Sequence, residues 1–206
     1  MKSALRLTSS TLGIYAGLLG MQHGFFEIRQ GDVAPAGGWM IHAIGAPCQP
    51  EAAWHACYPA FTLIPNVFWT GVLALAVGLS LLVWAVAFIQ RERGGPVLML
   101  LSLLLFIVGG GFVPAVIGVI AGAAACRFHL PLNGWRLSAL KGLRSLAGLW
   151  PWPLVLMGLW LPGSWLVGHF FGEAMRSMAL FVFLFFDIGL PMLSVLVGFA
   201  ADVQKG

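Results

Sequence analysis

With 206 residues, 60% of them hydrophobic and 9% charged, the chain lies far below the roughly 25% charge of soluble domains. Its mean hydropathy of +0.93 predicts an all-α, polytopic integral membrane helical bundle, a single domain over residues 1–206 whose first partner is the lipid bilayer. The net charge of +4 sits in short basic clusters beside apolar runs, the orientation pattern of membrane proteins, so no nucleic acid is expected as a partner.

The first apolar segment covers about residues 7–28. Its start, MKSALRLTSSTLGIYAGLLG, has the basic and apolar regions of a signal peptide, but no small-x-small cleavage site follows before QHGFFEIRQGD, so it reads as a retained span. Gly13, Gly17, Gly20 and Gly24 fall at offsets 0, 4, 7 and 11, on one side of a helix. Such a face lets membrane helices approach closely, and it is the expected packing surface for a homo-oligomer or a larger membrane partner. On its flank, His23 and Glu27 stand one turn apart. They form either an outer relay that shares a proton or meets a metal, or a hydrogen-bonded pair without chemistry. The string HGFFE is not HExxH, so no zinc-hydrolase mechanism follows.

Residues 29–60 form a long extracytoplasmic loop with His42, Cys48, His55 and Cys57 within 16 residues. Cysteines facing an oxidising compartment tend to pair, which makes Cys48 and Cys57 the disulfide candidate; free thiols and a zinc or copper site are the alternatives. The second segment covers 61–90.

The third segment, 96–125, is broken by Gly109, Gly110 and Gly111 followed by Pro114, and the two pieces are each too short to cross alone. If it returns to its starting side, Lys2, Arg6, Arg91, Arg93, Arg127, Arg136, Lys141, Arg144 and Lys205 share one side, against Arg29 and Arg176. That split of nine to two is the one the positive-inside rule prefers, so a re-entrant element or hairpin is predicted alongside four full spans. A faint echo between 105–125 and 184–202 would instead have the third segment cross like the fifth.

The basic loop 126–147 faces the cytoplasm under that reading, with Cys126 a free thiol and His129 solvated. Within it and just beyond, LSALKGLRSLAGLW sets Ala139, Leu140, Leu143 and Leu146 on one helical face, as in a short helix lying on anionic lipid. The fourth segment, 151–171, is interrupted by Pro151, Pro153 and Pro162, and His169 near its end reads as an interfacial residue.

The fifth segment, 178–201, carries Asp187 near its centre, where a carboxylate is costly and functional by default. On a continuous helix Asp187 shares a face with Arg176, Ser194 and Gly198, a polar stripe expected to face the bundle interior. Gly189 and Pro191 disturb the helix here, and Pro191 deprives the Asp187 carbonyl of its usual partner. Carboxylate and carbonyl together predict a proton or cation site; the alternative is a hydrogen bond to another helix.

The chain has no P-loop, G-x-G-x-x-G, C-x-x-C or G-x-S-x-G, and no acidic run suited to a diphosphate-bound metal. No cofactor and no metal are therefore expected, and an enzyme is the less favoured class. The expected function is binding or moving a small solute, ion or proton in a bacterial-type plasma membrane, with the N-terminus cytoplasmic. The alternatives are an accessory or assembly subunit of a larger membrane complex, and an intramembrane enzyme acting on lipid or quinone through His23 and Glu27.

Overall fold

The computed structural model describes residues 3–35, 38–42, 59–128 and 141–205. Ser3 opens the first helix, α1 (Ala4–Ile28), by accepting the Arg6 N–H on its Oγ at 3.1 Å. The same turn is held from the other end of the chain. The Asp202 carboxylate accepts the Ala4 N–H at 2.7 Å on one oxygen and the Leu5 N–H at 3.0 Å on the other. These donors have no intrahelical partner, and a negative charge here opposes the positive end of the helix dipole. Asp202→Ala is therefore expected to cost about 1 to 2 kcal/mol, read as a lower thermal midpoint in mild detergent. An unchanged midpoint would show that Ser3 suffices as the cap.

Asn66 caps α2 (Val67–Ala87) by accepting the Trp69 N–H at 3.1 Å. α1 and α2 run antiparallel with their backbones close together. A Cβ added at Gly24 would come within 2.6 Å of the Gly71 carbonyl oxygen, and one at Gly17 within 2.8 Å of the Gly78 oxygen. Gly13 faces Ala85, and Gly20 faces Leu105. The glycine stripe is thus covered by the chain's own helices, and a homo-oligomer would have to use another surface.

The third segment doubles back as α3 (Gly94–Ile107) and α4 (Phe112–Ala125). Gly95 lies against Gly122 and Cys126, and Gly118 against Ser102, so the two helices are antiparallel. The stretches that echo one another in sequence fold differently: 105–125 turns back through its glycines, whereas 184–202 lies within one rod. Pro114 falls in the first turn of α4, where its missing N–H has no helical partner to lose.

After a 3-10 helix (Lys141–Leu149) come α5 (Trp152–Phe170), α6 (Gly172–Ser177) and α7 (Ala179–Val182). α7 continues through a π-helical turn (Phe183–Gly189) into α8 (Leu190–Lys205). The 3-10 helix docks on protein: Ala147 and Leu146 pack against Ala4, Ala200 and Ala201. Of the face expected there, Ala139, Leu140 and the Leu143 side chain lie outside the described residues, as does His129.

The described residues are mostly helical, but four full spans are not what the helices provide. Two, α2 and the rod Ala179–Gln204, are long and apolar enough to cross a membrane. A third joins them if α5, bent by 52° between Trp152–Trp160 and Pro162–Phe170, is one span. α1 is long enough at 25 residues. Its apolarity falls short because Thr8, Ser9, Ser10 and Thr11 at one end and Gln22, His23 and Glu27 at the other dilute it. α3 and α4, at 14 residues each, reach about 21 Å against a hydrocarbon core of about 30 Å.

Contacts place the start of α1, the end of α2, the start of α3 and the ends of α4 and α8 together, here called the terminal end. Ser10 Oγ donates to the Ala85 carbonyl at 2.7 Å, and Trp150 Nε1 donates to Thr8 Oγ1 at 3.3 Å. At the opposite, loop end, β1 (Met40–His42) pairs with β2 (Pro59–Phe61) as an antiparallel ribbon in which Ile41 faces Ala60. The ribbon rests on the α3–α4 turn, since Thr62 bridges to Val108 and the Leu63 N–H donates to the Ile107 carbonyl at 3.1 Å.

Candidate functional site

Two buried carboxylates mark two centres at different heights of the bundle. The first is Glu27, fully buried in the last turn of α1. His23 Nδ1 lies 3.5 Å from Glu27 Oε1, the long hydrogen-bonded approach expected at i and i+4. His23 is the partner that reaches the surface, at 13% side-chain exposure against 0% for Glu27. The second carboxylate oxygen, Oε2, has no hydrogen-bond partner among the described residues. A buried charge left so is costly, and the oxygen calls for a proton or a cation.

The glycine break supplies the wall of this centre. Gly109 (φ +93°) and Gly111 (φ +90°) adopt the left-handed conformation that L side chains avoid. Space enforces the same choice. A Cβ at Gly111 would stand 2.9 Å from the His23 ring, and one at Gly109 would press on Thr70 and lie 3.4 Å from Glu27 Oε1. The turn is threaded between the pair on α1 and Thr70 on α2. Beside it a short relay is fully satisfied: the Ile64 N–H donates to Thr62 Oγ1, which lies 3.1 Å from Thr70 Oγ1, and Thr70 Oγ1 donates to the Asn66 carbonyl at 2.8 Å. Ile41 of the ribbon closes the group, within 3.2 Å of a Cβ at Gly109.

The second centre is Asp187, 7% exposed on the π-helical turn. Leu190 N–H donates to the Phe185 carbonyl, an i to i−5 bond, immediately before Pro191. A proline has no N–H for the i−4 carbonyl and clashes with it, so the widened turn at Gly189 is the local answer to Pro191. Insertions of this kind are frequent at functional sites. Trp160 of α5 stacks on Phe186 with ring centres 3.8 Å apart, pinning the turn from one side. From another side, Tyr15 of α1 belongs to the buried cluster that holds Leu190 and against which Phe183 and Phe186 of the π turn pack.

Other residues of the sequence-derived stripe fall out differently. Gly198 faces α1, where an added Cβ would meet Thr8 Oγ1 at 2.8 Å. Ser194 is buried, but its hydroxyl donates to the Leu190 carbonyl of its own helix at 2.7 Å and is spent there. Arg176 lies on α6, separated from the rod by a break at Met178, so the continuous helical phase that aligned it with Asp187 does not hold. Its side chain lies outside the described residues. The 109–111 break lies on His23 and Glu27 rather than on the turn that carries Asp187. What reaches the π turn is Phe112, at the start of α4, with its ring 5.8 Å from that of Phe183.

Among the described residues no group of three His, Cys, Asp or Glu gathers for a metal. Cys48, His55 and Cys57, with the side chain of His42, lie outside them; Cys126 is an exposed free thiol. His169 is exposed at the end of α5 against Phe170. Sequence reasoning missed Tyr15, Thr62, Thr70 and Asp202. Thr70 did leave a trace, as one of the few hydroxyls in the apolar run of α2. Searches of protein-family models, of curated proteins and of solved structures return no match to this chain.

Proposed function

We propose that this is a small multi-pass membrane protein that binds and moves a proton or a small cation, with Glu27 and His23 as the station at the loop end and Asp187 as the central one. The observation that carries this reading is the pair of carboxylates, 0% and 7% exposed, at two heights of one bundle. Tyr15, in one buried cluster with Leu190 and packed near Phe183 and Phe186 of the π turn, precedes Glu27 by twelve residues on α1, about 18 Å along the axis. Buried Ala16 and partly buried Leu19 lie between. Two acidic stations with an apolar step between them suit a carrier that passes its ion from one to the other as the helices shift.

The distribution of cations supports the orientation. Arg6, Arg91, Arg93, Arg127 and Lys205 belong to the terminal end, and Arg29 ends α1 at the other. By the positive-inside rule the terminal end is cytoplasmic. The test is ion flux into liposomes carrying the purified chain, followed with a trapped pH-sensitive dye and with sodium and potassium indicators. Flux in the wild type that falls to the empty-liposome rate in Asp187→Asn is expected. Equal rates in protein-bearing and empty liposomes for all three ions would sink the proposal.

The accessory-subunit reading is favoured by one feature, an apolar groove of about 450 Å³ between α5 and the Phe185–Leu193 stretch, lined by Trp152, Leu156, Leu159, Phe185 and Leu193. A partner protein lost from the purified material when Leu156 and Leu159 are changed to Ala, with no flux in any preparation, would establish it.

A further inference from the structure

Four arginines lie on helix ends that meet at one corner of the terminal end. Gly95, at the start of α3, packs so closely on the end of α4 that an added Cβ would lie 2.7 Å from both the nitrogen and the sulfur of Cys126. This contact sets the α2–α3 turn, with Arg91 and Arg93, beside Arg127. Arg6 arrives from α1, its guanidinium carbon 5.8 Å from the centre of the Phe128 ring. Arg91, Arg93 and Arg127 are exposed, and Arg6 is half-buried.

Little opposes these charges. The acidic residue of the α2–α3 turn is Glu92, and Asp202 is committed to the first N–H groups of α1. Among the described residues no ion pair joins a carboxylate to any of the four arginines. Like charges held together in this way create a local positive potential that an anion relieves. Leading away from the corner along the helices, Val83 and Val86 of α2 and Leu100 and Leu103 of α3 are exposed.

We propose that this corner binds the phosphate-bearing headgroup of an anionic phospholipid, whose acyl chains lie along Val83, Val86, Leu100 and Leu103. Basic pockets between helices at a membrane surface suit such headgroups, and guanidinium forks match phosphate oxygens in pairs. The excess of positive charge selects anionic over zwitterionic lipid. The inference needs the chain to lie in a bilayer but is independent of whether it moves an ion.

The experiment is native mass spectrometry of the full chain after exposure to equal amounts of phosphatidylglycerol and phosphatidylcholine. Wild type is expected to retain phosphatidylglycerol preferentially. Each neutralised arginine should lower retention about fivefold, so the Arg91→Gln, Arg93→Gln, Arg127→Gln triple variant loses it about a hundredfold. Arg29→Gln, at the opposite end, should retain it as wild type does. If the triple variant does not elute as wild type on sizing, Arg127→Gln alone is the variant read, with its fivefold loss. No preference between the two lipids, or equal retention by the arginine variants and wild type, would overturn the proposal. So would complete displacement by excess inorganic phosphate, which would give the corner to a soluble anion.

Discussion

Glu27→Met is expected to leave the protein folded and at least as stable as wild type while ion flux falls to the background of empty liposomes. The two halves of that expectation have one cause. The carboxyl is fully buried, with one oxygen at 3.5 Å from His23 and the other without a hydrogen-bond partner among the described residues. Replacing a poorly compensated buried ionisable group by an apolar side chain of similar volume is commonly neutral, or stabilising by about 1 to 4 kcal/mol. In a chain of 206 residues each kcal/mol moves the thermal midpoint by about 2 to 4 °C. A midpoint unchanged or raised, with flux abolished, would mark Glu27 as a group retained for function at some expense of stability. A midpoint lowered by about 5 °C or more would mean that Glu27 holds the glycine turn in place, and the station would have to be sought at Asp187 alone.

The second large effect is structural. Gly24→Val is expected to destabilise the bundle by about 3 kcal/mol or more, because the new side chain meets backbone that cannot give way. Its Cβ would stand 2.6 Å from the Gly71 oxygen and 2.9 Å from the Leu75 nitrogen. Gly20→Ala is the informative contrast. Its Cβ would meet the Cδ atoms of Leu105, the far end of a flexible side chain, so a loss of about 1 kcal/mol is expected although the residue lies on the same stripe. Thermal midpoints and sizing profiles of the two variants decide the matter. Equal midpoints would show that α1 and α2 do not approach as closely as Gly24 and Gly71 imply.

The two glycine variants also show where sequence is a good guide. The offsets of Gly13, Gly17, Gly20 and Gly24 define a face, because helical geometry is periodic and local. What covers that face is a long-range fact. Gly71 and Gly78 are seven residues apart on α2, a complementary spacing that only the antiparallel pairing turns into contact. The break at Gly109 to Gly111 is likewise plain in sequence, as is the charge asymmetry that favours a hairpin over a single crossing. Its neighbour is not: His23 is more than eighty residues away, and nothing near either segment announces that one wraps the other.

The polar stripe of the last segment is interrupted upstream, at Arg176, in an instructive way. Extrapolating 100° per residue from Asp187 back to Arg176 assumes one unbroken helix, but the chain breaks at Met178 and widens into a π turn before Pro191. Downstream, Ser194 and Gly198 do lie on the buried side, because α8 is regular. The count of spans erred for a related reason. Average composition predicts a chain that crosses a membrane several times, yet the polar ends of α1 and the short arms of the hairpin are local departures from that average.

The clasp between Asp202 and the first turn of α1 joins residues 198 and 197 positions apart. At a synthesis rate of about 5 to 20 residues per second, the α1 N-terminus waits about 10 to 40 s for its carboxylate. The Gly17 to Gly78 contact becomes possible far sooner. During synthesis, then, the glycine-packed hairpin of α1 and α2 can form well before the Asp202 clasp can close.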